Sequence, residues 1–140
     1  MHDYVGSCHC GSIAYRYNTA ILPAEWSVRA CQCSFCRLHA ALTTSDTHGS
    51  VTFVIADPTA LQRYRFGHRS ADFLLCAHCG TYLAAIFSTE IGGFGVINVR
   101  TLTEPPHDLP EPQPVSLEDE SPEARRVRRQ SRWTPIRGPY

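Results

Sequence analysis

Cys31-Gln-Cys-Ser-Phe-Cys-Arg37 lies between two shorter cysteine pairs, Gly6-Ser-Cys-His-Cys-Gly11 before it and Cys76-Ala-His-Cys-Gly-Thr81 after it. All seven cysteines of the chain (Cys8, Cys10, Cys31, Cys33, Cys36, Cys76 and Cys79) belong to these clusters. Such close pairs suit a metal, because a tetrahedral zinc holds thiolates at ~2.3 Å and therefore within about 4 Å of one another. They suit disulfides poorly, since an odd count leaves one sulfur over. Seven divides into four and three. Four thiolates make a closed structural site, and three leave one coordination position open for chemistry.

Spacing leaves two partitions open. Cys8 and Cys10 can join Cys76 and Cys79, with Cys31, Cys33 and Cys36 as a local triad. Alternatively the two C-x2-C pairs, Cys33/Cys36 and Cys76/Cys79, join as in a zinc ribbon and leave Cys8, Cys10 and Cys31. The ribbon pairing spans a longer gap than the ~15–20 residues usual for that pattern, and the first partition keeps the middle cluster whole. Gly11 and Gly80 follow the outer clusters, where turning backbone N–H groups toward sulfur requires φ values that glycine tolerates. A flat strand would hold C-x-C sulfurs too far apart, so both such segments are expected at bends or strand ends.

Between the clusters the chain reads as strands: Ser12–Tyr17, Trp26–Ala30, Val51–Ile55, Arg63–Phe66, Asp72–Leu75, Thr81–Phe87 and Phe94–Val99, punctuated by Gly67, Gly80, Gly92 and Gly93. This pattern predicts a mainly β domain with few short helices. Asp57-Pro58 and Ser121-Pro122 each offer an N-cap with proline at the first helical position, leading into Thr59–Gln62 and Glu123–Gln130. In the second, acidic residues precede arginines, an order that complements the helix dipole. A helix that short must dock or fray. Eight of the ten prolines lie from Pro105 onward. The expected division is a zinc-binding domain over 1–103 and, over 104–140, an extended Pro-rich tail with a short helix.

The length of 140 residues suits one domain that buries about two-thirds of its unfolded surface. A hydrophobic content of 43% with 19% charged residues is globular composition. Net charge is +0, which gives no global field toward nucleic acid or an anionic membrane. The chain has no lysine, which excludes lysine Schiff-base chemistry. No apolar run approaches the ~18 residues of a membrane span, and the N-terminus lacks the features of a signal peptide. A reducing, cytoplasmic setting is the expected default, and it keeps thiols available for metal.

On the three cysteine clusters and the strands between them, the chain resembles the glutathione-dependent formaldehyde-activating enzyme family, which includes centromere protein V, over roughly Tyr4–Leu102. The resemblance implies an Mss4-like β fold. It implies a structural zinc on Cys8, Cys10, Cys76 and Cys79, and a second, exchangeable zinc on Cys31, Cys33 and Cys36. It also implies that glutathione binds through its thiol at the second site, where formaldehyde and the thiol form S-hydroxymethylglutathione, a carbon–sulfur lyase reaction in reverse. The chain differs from the family pattern at Gln32, at Leu38 and in Thr101-Leu-Thr-Glu104. The alternative is a non-catalytic, zinc-stabilised binding module of the same fold.

Other residues admit simpler roles. His39 follows Cys36 at ligand spacing and would close the triad as a Cys3His structural site. His9 and His78, lying inside cysteine pairs, are read as non-ligands, and His68 as a surface histidine. Ser34, Arg37 and Thr81 are site candidates by nearness in sequence. Phe53, Tyr64, Phe66, Phe73 and Tyr82 read as core. Seven acidic residues over Glu104–Glu123 offset the six arginines of Arg125–Arg137, favouring a self-paired helix over a nucleic-acid patch.

Overall fold

The alternation around Ile13 produces a strand with one buried face: in β2 (Ile13–Thr19) the inward residues are Ile13, Tyr15, Tyr17 and Thr19. The computed structural model describes residues 1–140. β2 is flanked by β1 (His2–Ser7) and β5 (Ser50–Ile55), both antiparallel to it. The uninterrupted apolar run Tyr82–Phe87 forms β8 (Tyr82–Thr89), buried along six successive residues. It lies between β7 (Asp72–Cys76) and β9 (Gly92–Asn98), which explains why no alternation is seen there. β6 (Leu61–Tyr64) pairs with β7 on the far side.

Beyond β9 the order runs through β4 (Thr43–Thr44) to β3 (Arg29–Cys31), then to β10 (Gln113–Val115), which lies parallel to β3. α1 (Ser34–Leu38) follows β3 inside the middle cysteine cluster, and α2 (Pro122–Arg132) precedes β11 (Thr134–Arg137). β11 joins the two halves of the sheet. Its Thr134 and Pro135 pair with Gly95 and Phe94 of β9, and its Ile136 and Arg137 pair with Val51 and Thr52 of β5. The main core fills the space under this seam with Ile13, Tyr15, Tyr17, Trp26, Leu74, Leu83 and Ile97 among its members.

The mainly β class expected from the sequence is the observed one. Several details differ from the sequence reading. Asp57 does cap a turn, through Thr59 N–H at 3.0 Å, but that turn is a single 3-10 turn over Pro58–Ala60. Leu61 and Gln62 leave it to pair with Cys76 and Leu75, because a sheet edge satisfies more backbone than another helical turn. The strand β1 had too many polar residues and glycine to stand out, yet it pairs with β2 along its whole length. The segment 104–140 supplies β10, α2 and β11. Ser121 caps α2 by accepting from Ala124 N–H at 3.1 Å, and the helix docks. No helix is long and apolar enough to cross a membrane.

One buried polar cluster anchors the seam. Thr134 Oγ1 accepts from Asp46 N–H at 2.8 Å, and the Asp46 carboxylate accepts from Thr19 Oγ1 at 2.6 Å and from His48 N–H at 2.9 Å. Thr134→Val keeps the shape of the side chain but leaves a buried amide unpartnered. We predict a loss of about 1–3 kcal/mol, read as a lower urea midpoint with unchanged slope. An unchanged midpoint would show that this contact does not hold the seam.

Candidate functional site

The two outer clusters fold into matching knuckles. Cys8 N–H donates to Ile13 O and Cys76 N–H to Thr81 O, both at 2.9 Å. Within each, a glycine N–H returns to the first cysteine's carbonyl: Gly11 to Cys8 at 3.2 Å and Gly80 to Cys76 at 2.7 Å. Both glycines take positive φ, +83° and +81°, where a side chain would be strained. The knuckles face each other, so Cys8, Cys10, Cys76 and Cys79 come together with all four sulfurs within 4.8 Å. Cys10 Sγ lies 3.7 Å from Cys8 Sγ and 3.6 Å from Cys76 Sγ. Sulfurs at the corners of a zinc tetrahedron are separated by ~3.8 Å, whereas a disulfide requires about 2.05 Å. The donor set therefore fits a zinc ion.

Neighbouring hydroxyls already polarise these thiols. Ser12 Oγ, 3.2 Å from Cys10 Sγ, is the main cause that holds the Cys10 thiol below its ordinary range. Burial works against ionisation of Cys79, but hydrogen bonds from the Thr81 hydroxyl, at 3.2 Å, and from backbone amides bring it down to about 5. Burial pushes Cys76 up to about 11. Thr81, a site candidate by nearness in sequence, lies against the four-cysteine set, as does Ser12, which sequence reading missed although it stands two residues after Cys10.

The middle cluster is separate. Cys31 at the end of β3 and Cys33 and Cys36 around α1 place their three sulfurs within 4.8 Å of one another. Cys33 is the N-cap of α1, its sulfur accepting from Cys36 N–H at 3.4 Å. Hydrogen bonds from the Cys31 and Cys36 thiols hold Cys33 far below the usual thiol range; the bond to Cys33 pushes Cys31 upward, and the bonds to Cys31 and then Cys33 push Cys36 upward. Three thiolates together require a cation, and the geometry of these three is compatible with zinc.

His39 does not join these sulfurs. Its ring packs on Phe35, with centroids 4.4 Å apart, and lies 5.6 Å from Tyr82. His78 Nε2 points to Asp57 at 3.8 Å. Gln32 donates to Ala30 O at 2.8 Å, Leu38 is exposed, and Thr101 bonds the Tyr15 hydroxyl at 2.7 Å. The three departures from the family pattern thus occupy structural or solvent positions.

The triad opens into a cavity of about 480 Å³. Phe66, Phe73, Tyr82 and Trp133 supply its apolar walls, and His68 and Ser34 stand at its edge. Burial, reinforced by the nearby Cys36, keeps the Tyr82 phenol well above its ordinary pKa, so it remains a proton donor. Arg29 of β3 and Arg125, Arg128 and Arg129 of α2 complete the lining, opposed by Glu118. None of these arginines was picked out as a site residue from the sequence. The spacing of Arg125, Arg128 and Arg129 places them on one face of α2, but that face reads equally as a solvated one.

Comparison with known proteins agrees with this arrangement. No curated protein matches the chain. A crystal structure of a Rhodobacter sphaeroides protein is similar at 28% identity and a TM-score of 0.56, covering 79% of this chain and 99% of the other. The family model described as glutathione-dependent formaldehyde-activating enzyme matches residues 3–115, a span that holds both sulfur clusters and stops before α2. The chain belongs to the glutathione-dependent formaldehyde-activating enzyme family.

Proposed function

We propose that this protein is a zinc-dependent carbon–sulfur lyase that forms or cleaves thiol–aldehyde adducts of the S-hydroxymethylglutathione type. The observation that carries the reading is the difference between its two sulfur clusters. Cys8, Cys10, Cys76 and Cys79 form a four-sulfur set closed by its knuckles, whereas Cys31, Cys33 and Cys36 are three sulfurs opening into a cavity. Zinc on the triad would supply a vacant position at which an incoming thiol binds as thiolate. The four-cysteine set then serves stability, and a reducing compartment keeps all seven thiols competent.

The chain's own residues shape the reaction. Phe66, Phe73 and Tyr82 limit water around the sulfurs, which favours the adduct over hydration of the aldehyde. The thiolate sulfur bonds to the aldehyde carbon as the carbonyl π bond breaks, and the oxygen takes up one proton to give the hemithioacetal. The reverse step returns that proton and breaks the carbon–sulfur bond. The Tyr82 hydroxyl is suited to donate a hydrogen bond to that oxygen, because its neutral form persists throughout the physiological range. Holding both reactants in one cavity supplies proximity, which is the larger share of what so simple an addition needs.

Metal analysis separates the two sites. We expect two zinc ions per chain, one resisting chelator and one removed by it and protected or displaced by glutathione. Equal resistance of both, with no response to glutathione, would sink the lyase reading. Substitution separates them again. Cys76→Ser should cost several kcal/mol and unfold the domain or lower its melting temperature sharply. Cys33→Ser should leave a cooperative fold and abolish glutathione binding and adduct formation. Retained activity in Cys33→Ser would remove the triad from the chemistry.

A further inference from the structure

α2 docks against the grain of its own composition. Its one large apolar residue, Val127, is 57% exposed, while Arg129 is 7% exposed. Arg129 donates to Ser70 Oγ at 2.8 Å and lies over the Trp133 ring at 5.0 Å. Its Nε is buried with no hydrogen-bond partner in the protein. Burying a guanidinium without a carboxylate is costly, and removal of an unpaired buried charge is ordinarily favoured.

The neighbouring arginines are provided for. Arg125 and Arg128 both pair with Glu120, at 3.4 and 2.8 Å, and Arg126 pairs with Glu123 at 2.9 Å. Arg29 resembles Arg129 instead. It donates to Ser45 Oγ at 2.8 Å and faces the same cavity without a carboxylate partner. The cavity thus has a sulfur cluster at one part of its wall and two guanidiniums without carboxylates at another, with Glu118 its one acidic lining residue. At about 480 Å³ it is also larger than a small aldehyde and a minimal thiol require, and is of a size that takes a ligand of tripeptide bulk.

We propose that Arg129, supported by Arg29, forms a carboxylate-binding subsite that makes this protein selective for thiols carrying an anionic group. This rests on the thiol–aldehyde reading of the triad. The guanidinium fork presents parallel N–H donors that match a carboxylate in two-point contact, and Arg129 and Arg29 both line the cavity without a carboxylate of the protein to occupy them. Arg29 lies within the residues matched by the family model, and α2, which carries Arg129, lies beyond them.

Calorimetric titration of the zinc-loaded full-length protein tests it, comparing glutathione with glutathione diethyl ester, which keeps the thiol and loses both carboxylates. We expect the wild type to bind glutathione roughly tenfold or more tighter than the ester. Arg129→Gln should weaken glutathione by a similar factor and leave the ester unchanged. Equal wild-type affinities would overturn the subsite, whatever the variant does to the fold. So would a variant that weakens both ligands alike, since that marks Arg129 as a support for the fold or the sulfurs. If neither thiol binds, the lyase reading fails, and S-methylglutathione decides the subsite alone. Binding of S-methylglutathione that is lost in Arg129→Gln upholds the subsite, and absent or unaltered binding removes it.

Discussion

The meeting of Cys10 and Cys76, 3.6 Å apart and contributed by knuckles 66 residues apart in the chain, is the contact on which the rest depends. One knuckle links β1 to β2, and the other links β7 to β8. Drawing their sulfurs together fixes the two halves of the sheet relative to each other at one end, as β11 does along the seam. The sulfurs repel once ionised, so this meeting is stable in the thiolate form only around a cation. A metal bound at this set would for that reason be coupled to folding.

The triad obeys the same electrostatics with a different outcome. Its three sulfurs are local in sequence, held by the end of β3 and the first turn of α1, and no fourth protein ligand reaches them. His39, which spacing offers as that ligand, is taken by aromatic packing against Phe35 and Tyr82. Phe66, Phe73 and Tyr82 of the aromatic cluster that removes His39 also line the cavity, so one packing choice both leaves the triad without a fourth protein ligand and builds the apolar wall beside it.

Much of the site was legible because cysteine spacing is local information. C-x-C-G and C-x2-C-G carry the turn geometry within themselves, and Gly11 and Gly80 take the positive φ expected of them. Strands with clear alternation, such as β2, were equally legible. β1, β10 and β11 were not, because they are strands by pairing rather than by composition: their own residues are largely polar or proline. The helical cap at Asp57 was legible, but its continuation was overridden by the edge of β7.

By itself the sequence determined that seven thiols would group in clusters able to hold metal, that the domain would be mainly β, and which family it joins. Those conclusions rest on short-range spacing and residue chemistry. Tertiary structure alone decided that four sulfurs close while three face a cavity. It also decided that α2 turns an arginine inward and leaves Val127 in solvent. The reason is physical. Which face of a charged helix is buried depends on what lies opposite, and here Arg129 meets the Phe87 ring of β8 and the Ser70 hydroxyl, both distant in sequence, beside Trp133 at the helix's own C-terminal end.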